Sequence, residues 1–125
     1  MSRRILNVKV GEGIEANLGR AANTMATLNR GEKPKPYFGI GFQDIGQLFA
    51  VFTPRRWDLL AALREAGPTT TADLARRVKR DYKNVHNDIS KLIEWRAVEK
   101  DDQGRIFTPY AEIVVDVRLP ELTAA

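Results

Sequence analysis

The apolar positions of this chain change their spacing from segment to segment, and each change predicts a new element. In "RRILNVKV", Leu6, Val8 and Val10 recur at every second residue, which predicts a short strand. In the next segment Ile14, Leu18, Ala21, Met25 and Leu28 recur at three and four residues, the stripe of an amphipathic helix that Gly31, Pro34 and Pro36 bring to a stop. "YFGIGF" alternates Phe38, Ile40 and Phe42 with small residues and predicts a second strand. Asp44 then suits the cap of a short helix with Ile45, Leu48, Phe49 and Phe52 on one face.

From Thr53 onward the boundary signals sharpen. Thr53 fits an N-cap and Pro54 the first helical position, where its missing N–H costs nothing, and the helix carries Trp57, Leu60, Ala61 and Leu63 inward to a stop at "AGP". "TTTADLARRV" offers another threonine cap and a short helix with Leu74, Ala75 and Val78 inward. "KRDY" turns the chain, and Asp81 caps a longer helix with Val85, Ile89, Leu92, Ile93 and Arg96 in register. "AVEKDDQGRIFTPY" predicts a hairpin with Val98 and Ile106 inward around "DDQG", whose Gly104 tolerates positive φ, and "EIVVDVRL" alternates as a further strand. No repeat or low-complexity tract interrupts this order. The fold class expected is α+β: a winged helix-turn-helix of three helices plus a β-hairpin wing, preceded by a strand-helix-strand-helix extension.

Composition narrows the function classes. The chain has 125 residues, 43% hydrophobic and 29% charged, enough for one modest core rather than two large domains. It has no cysteine, so disulfides, thiolate nucleophiles and Cys-based zinc sites are excluded, and a reducing cytoplasm is the expected compartment. No apolar run approaches the roughly 20 residues of a membrane span. His86 is the only histidine, with no cysteine or second histidine to complete a metal site, and neither an HExxH pattern nor a nucleophile elbow occurs. "GEG" and "GIGF" read as turn punctuation, because they lack the strand-loop-helix context of a phosphate loop. A binding protein with no cofactor, no metal and no catalytic residues is expected.

Charge changes the picture most. The net charge is +4, and Leu74–Lys91 alone holds six basic residues against Asp81 and Asp88, so the rest of the chain is balanced. At 100° per residue, a helix that buries Val85, Ile89 and Leu92 turns Lys83, Asn87, Ser90 and Glu94 the opposite way, flanked by Asn84, His86 and Lys91. Lys83, Asn84, His86, Asn87 and Ser90 are the candidate base readers, since Asn pairs bidentately with adenine and Lys donates to guanine. Thr71, Arg76, Arg77, Lys79, Arg80 and Lys91 are the candidate phosphate contacts, with Lys100 and Arg105 at the wing. A charged helix face is ordinarily just solvated. Here three features coincide: charge confined to the turn, amides on the outward face, and a hairpin behind them. Together they favour nucleic acid. Asp101 and Asp102 argue against deep insertion of the wing tip, and Trp57 and Trp95 read as packing residues.

From "FTPRRWDLLAALREAG" through "TTADLARRVKRDYKNVHNDISKLIEWRAVEKDDQGRIFTPY" the chain resembles small bacterial and archaeal MarR-like winged-helix transcriptional regulators, in particular a DNA-binding family often paired with a small toxin gene. That resemblance implies a dimeric repressor, with the antitoxin of an autoregulated operon as one form, and carries Lys83, Asn84 and Asn87 onto recognition-helix positions and Arg105 onto the wing. Residues 1–52 are unlike the long dimerisation helices of standard MarR proteins. They are expected to form a dimerisation extension through Ile14, Leu18, Met25 and Leu28, with 53–119 as the DNA-binding unit and 120–125 as a tail. The partners expected are double-stranded DNA, a second copy and, in the antitoxin form, a cognate toxin; no membrane. The rival reading is a protein-interaction module that neutralises a toxin, with the winged helix mainly structural.

Overall fold

The computed structural model describes residues 4–11, 14–33 and 37–117, with the side chains of 14–17 left aside. The tail at 120–125 and the Ile14 side chain lie outside what is described. Among the described residues the order is β1 (Ile5–Val10), α1 (Ile14–Asn29), β2 (Phe38–Phe42), α2 (Ile45–Val51), α3 (Pro54–Ala66), α4 (Thr71–Val78), α5 (Tyr82–Glu94), β3 (Glu99–Lys100), β4 (Ile106–Phe107) and β5 (Glu112–Asp116), an α+β arrangement. No helix among them is long and apolar enough to cross a membrane.

The helix starts follow from local hydrogen bonding. The side chains of Asp44, Thr53, Thr70 and Asp81 accept from the backbone N–H groups of Gln47, Arg56, Asp73 and Asn84, the unpaired donors of each first turn. Pro54 occupies the first turn of α3 as its fixed φ favours.

β1 is the centre of a three-stranded sheet of order β2-β1-β5, parallel to both neighbours, with Leu6 opposite Phe38 and Ile113. Alternation then sends Leu6 and Val8 into the core while Asn7 and Lys9 take the other face with Gly39 and Gly41. The Tyr37 ring lies over Gly39, where a Cβ would come within 2.5 Å of a ring carbon, so a larger residue there would displace the ring. This topology corrects one expectation: the "GEG" segment does join a strand to a helix, because β2 returns parallel to β1 and the connection must cross over.

A single buried cluster runs from Leu6, Val8 and Phe42 through Leu48 and Phe52 to Leu59, Leu63, Leu74, Val85, Ile89, Leu92 and Ile106. The Phe42 ring packs 4.7 Å from Trp95, and Phe52 packs 5.3 Å from Trp57. The strands β1 and β2 therefore bury Leu6, Val8 and Phe42 within the chain. On α1, Leu18, Met25 and Leu28 are exposed by more than half. Four further inward assignments differ. Ile45, Phe49 and Ala61 are exposed, Leu59 is buried in their stead, and Arg96 lies past the end of α5 at φ 64°, exposed.

α4 and α5 are joined by a tight turn in which Lys79 takes the left-handed conformation, φ 57°. The antiparallel pair β3 and β4 follows α5, closed by a turn with Gly104 at φ 79°, and Thr69 exchanges two backbone hydrogen bonds with Ile106 on the other side of β4. The path from this hairpin to β5 is pinned: the Tyr110 hydroxyl donates to the Arg96 carbonyl at 3.1 Å, and Arg64 donates to the carbonyls of Tyr110 and Ala111. Burial, and next the Glu99 carboxylate, push the Tyr110 phenol above its ordinary pKa, which keeps it a donor.

Candidate nucleic-acid interface

α5 presents two unlike sides because its apolar residues fall on one stripe. Val85, Ile89 and Leu92 are buried against the core, and Lys83, Asn84, His86, Asn87 and Ser90 are all exposed. Among the described residues, nothing from the N-terminal strands or α1 covers these five. Asp81 holds the first turn open at its exposed end, so the polar set begins at the helix terminus where the backbone donors and the positive end of the helix dipole also lie.

The basic residues around this face fall into two kinds. Arg76, Arg77 and Lys79 are exposed, Arg76 paired with Asp73 and Arg77 with Glu65 at 3.6 Å. Lys91 is half-buried and pairs with Glu94 at 3.2 Å. Ion pairs this open to water contribute at most about 1 kcal/mol, so a phosphate can take these cations from their present partners. Thr71 is half-buried at the start of α4, and Thr70 rather than Thr71 is the capping residue.

Arg80, expected as a phosphate contact, is of the other kind. Its side chain is only 20% exposed, and Nη2 donates to Asp88 Oδ2 at 2.8 Å. The second oxygen of Asp88 accepts from Arg56 Nε at 3.1 Å, and Arg56 Nη1 in turn donates to the carbonyls of Ala50 and Val51 at 3.0 and 2.8 Å. Arg80 is thus held half-buried against a carboxylate that a charge count treats as a mere deduction.

At the hairpin, Lys100 is exposed, while Arg105 is folded back onto Asp101, Nε to Oδ2 at 3.0 Å. Asp101 also accepts from the backbone N–H groups of Gln103 and Arg105, both at 2.9 Å, and so organises the tip. Desolvation raises its pKa, but these donors and the guanidinium together outweigh it and hold the carboxyl below the ordinary aspartate value.

Two residues outside the expected set belong here. Tyr82, the first residue of α5, is half-exposed with its ring 5.8 Å from that of His86, an i,i+4 pair at the helix start. Arg55 is exposed and lines a shallow concavity with Thr53, Arg56, Arg80, Asn84, Asn87 and Asp88, between the start of α3 and the flank of α5. The signal for Arg55 was in the sequence, two residues after the threonine cap. That for Tyr82 was its place directly after Asp81.

Neither the curated proteins compared with this chain nor the solved structures gave a match. The HVO_A0114 family model does match, over residues 51–115, from the last residue of α2 through the three helices and the hairpin into β5. That segment is more than half of the chain and carries every side chain described in this interface, and the protein belongs to the HVO_A0114 family.

Proposed function

We propose that the protein is a sequence-specific double-stranded DNA-binding transcriptional regulator, a winged helix in which α5 is the recognition helix and β3–β4 the wing. The observation that carries this reading is the exposure of Lys83, Asn84, His86, Asn87 and Ser90 together on the side of α5 opposite its buried stripe, at the capped end of the helix. Such a face is narrow enough for the major groove and bears groups that pair with base edges. Arg76, Arg77 and Lys79 flank it where the phosphates would run, and Lys100 reaches from the wing. The narrow, deep major groove of A-form RNA suits the same face less well.

The protein acts as a homodimer in this reading. The α1 stripe of Leu18, Met25 and Leu28 is an apolar surface left exposed within the chain, and it supports a protein partner, of which a second copy is the simplest. A dimer reads a pseudo-palindrome with half-sites about one helical turn, roughly 34 Å, apart. A MarR-like repressor, in its antitoxin form regulating its own operon, fits both surfaces at once.

Selection of bound sequences from a random duplex pool tests the function directly. Recovery of an inverted repeat, with affinity falling steeply as salt is raised, supports it. A protein that enriches no sequence and shifts no duplex at low salt is not this regulator, and the exposed α1 stripe then points to an interaction module.

A further inference from the structure

Asp88 lies on α5 beside Asn87 and one turn beyond Asn84, at the boundary between the buried stripe and the outward face. Its two oxygens take different guanidiniums, Arg56 from the start of α3 and Arg80 from the turn between α4 and α5. All three side chains are 17–20% exposed. Through Arg56 the same cluster holds the two carbonyls at the end of α2. One carboxylate therefore joins the end of α2, the start of α3, the α4–α5 turn and α5 itself.

We propose that Asp88 is a positioning residue for DNA recognition, fixing the rotation and axial setting of α5 so that Asn84 and Asn87 meet the base edges in register. This rests on the DNA-binding reading above. The apolar contacts of Val85, Ile89 and Leu92 anchor α5 to the core, but such packing is not directional and leaves rotation about the helix axis and sliding along it poorly defined. Two charge-assisted hydrogen bonds arriving from separate elements are directional and remove that freedom.

The cluster is costly as a stabiliser. Partly buried ion pairs seldom outdo apolar packing of the same volume, and Arg80 Nη1 is left buried with no partner. What the arrangement provides is geometry. Asp88 also offsets one of two guanidiniums in a concavity that Arg55 makes still more basic, so its charge opposes phosphate while its position serves base contact.

The experiment compares Asp88→Asn and Asp88→Glu with the unaltered protein. Affinity is measured for the duplex recovered by selection and for a scrambled duplex of equal length, and amide hydrogen exchange is measured along α5 without DNA. Asp88→Asn should leave affinity for the scrambled duplex equal or higher, because a negative charge has gone. Discrimination between the two duplexes should fall about tenfold, in the range that one base contact supplies. Asp88→Glu keeps the charge but alters the reach, and should lose discrimination with no gain on scrambled DNA. Both variants should exchange faster at the first two turns of α5. Unchanged discrimination in a folded variant, or parallel losses on both duplexes, overturns the proposal. Should the unaltered protein bind no duplex, the DNA-binding reading fails by itself, and unchanged exchange in α5 would separately remove Asp88 as a positioning residue. If Asp88→Asn does not fold, Asp88→Glu carries the same comparison.

Discussion

Leu6→Ala tests whether the N-terminal strands and the helices form one cooperative unit. Leu6 lies on the central strand β1 and is 1% exposed, within the cluster that also holds Leu59, Leu63 and Phe42. Truncating a leucine so enclosed removes its transfer free energy and leaves a cavity, because β2 and β5 flank β1 and limit collapse. The loss is about 3 kcal/mol, within the usual spread of such truncations. With a urea slope of about 2 kcal/mol/M for a chain of this size, the unfolding midpoint moves down by about 1.5 M. The assay is built into the molecule: both tryptophans lie beyond residue 52, yet Trp95 packs on Phe42 and Trp57 on Phe52. Their fluorescence should follow the same shifted midpoint as far-UV circular dichroism, in one transition. A tryptophan midpoint that stays within about 0.3 M of the unaltered protein, or two separated transitions, would refute a shared core and restore a boundary near residue 52.

The remaining predictions concern the interface. Asn87→Ala should relax base preference at one position of the recovered site by about 1–3 kcal/mol, read as a flattened position in a repeated selection; an unaltered motif removes Asn87 from base reading. Arg77→Ala should weaken selected and scrambled duplexes alike and reduce the salt slope by about one; a loss confined to the selected duplex would assign Arg77 to base readout instead. Because the Asp101 carboxyl is held below its unfolded value, its contribution to the hairpin tip is complete above the ordinary aspartate value of about 3.9 and is lost as pH falls through the lowered folded one. A carboxyl titration by NMR should find Asp101 below that value, with the Gln103 and Arg105 amides shifting in the same step, and a titration at or above it contradicts the hydrogen bonds drawn to it.

What the sequence disclosed and what it hid divide along physical range. The starts of α2, α3 and α5 were legible because a cap is a contract between residues three apart: Asp44 with Gln47, Thr53 with Arg56, Asp81 with Asn84. The outward face of α5 was legible for the same reason, since a helix places Val85, Ile89 and Leu92 on one side whatever it packs against. The parallel order β2-β1-β5 was not legible, because β5 meets β1 across more than a hundred residues and alternation within a strand says nothing of its neighbour. That one unknown decided where Leu6 and Val8 would be buried. The charges failed in a similar way. Counting arginines between Leu74 and Lys91 gave a correct total but treated Arg76, Arg77 and Arg80 as equivalent, whereas Arg80 is half-buried and tied to a carboxylate. The residue that makes it so is Asp88, tied at the same time to Arg56, 32 positions away. A basic run therefore only counts cations, and the fold says which of them are already answered by a carboxylate of the protein and which stay open to solvent.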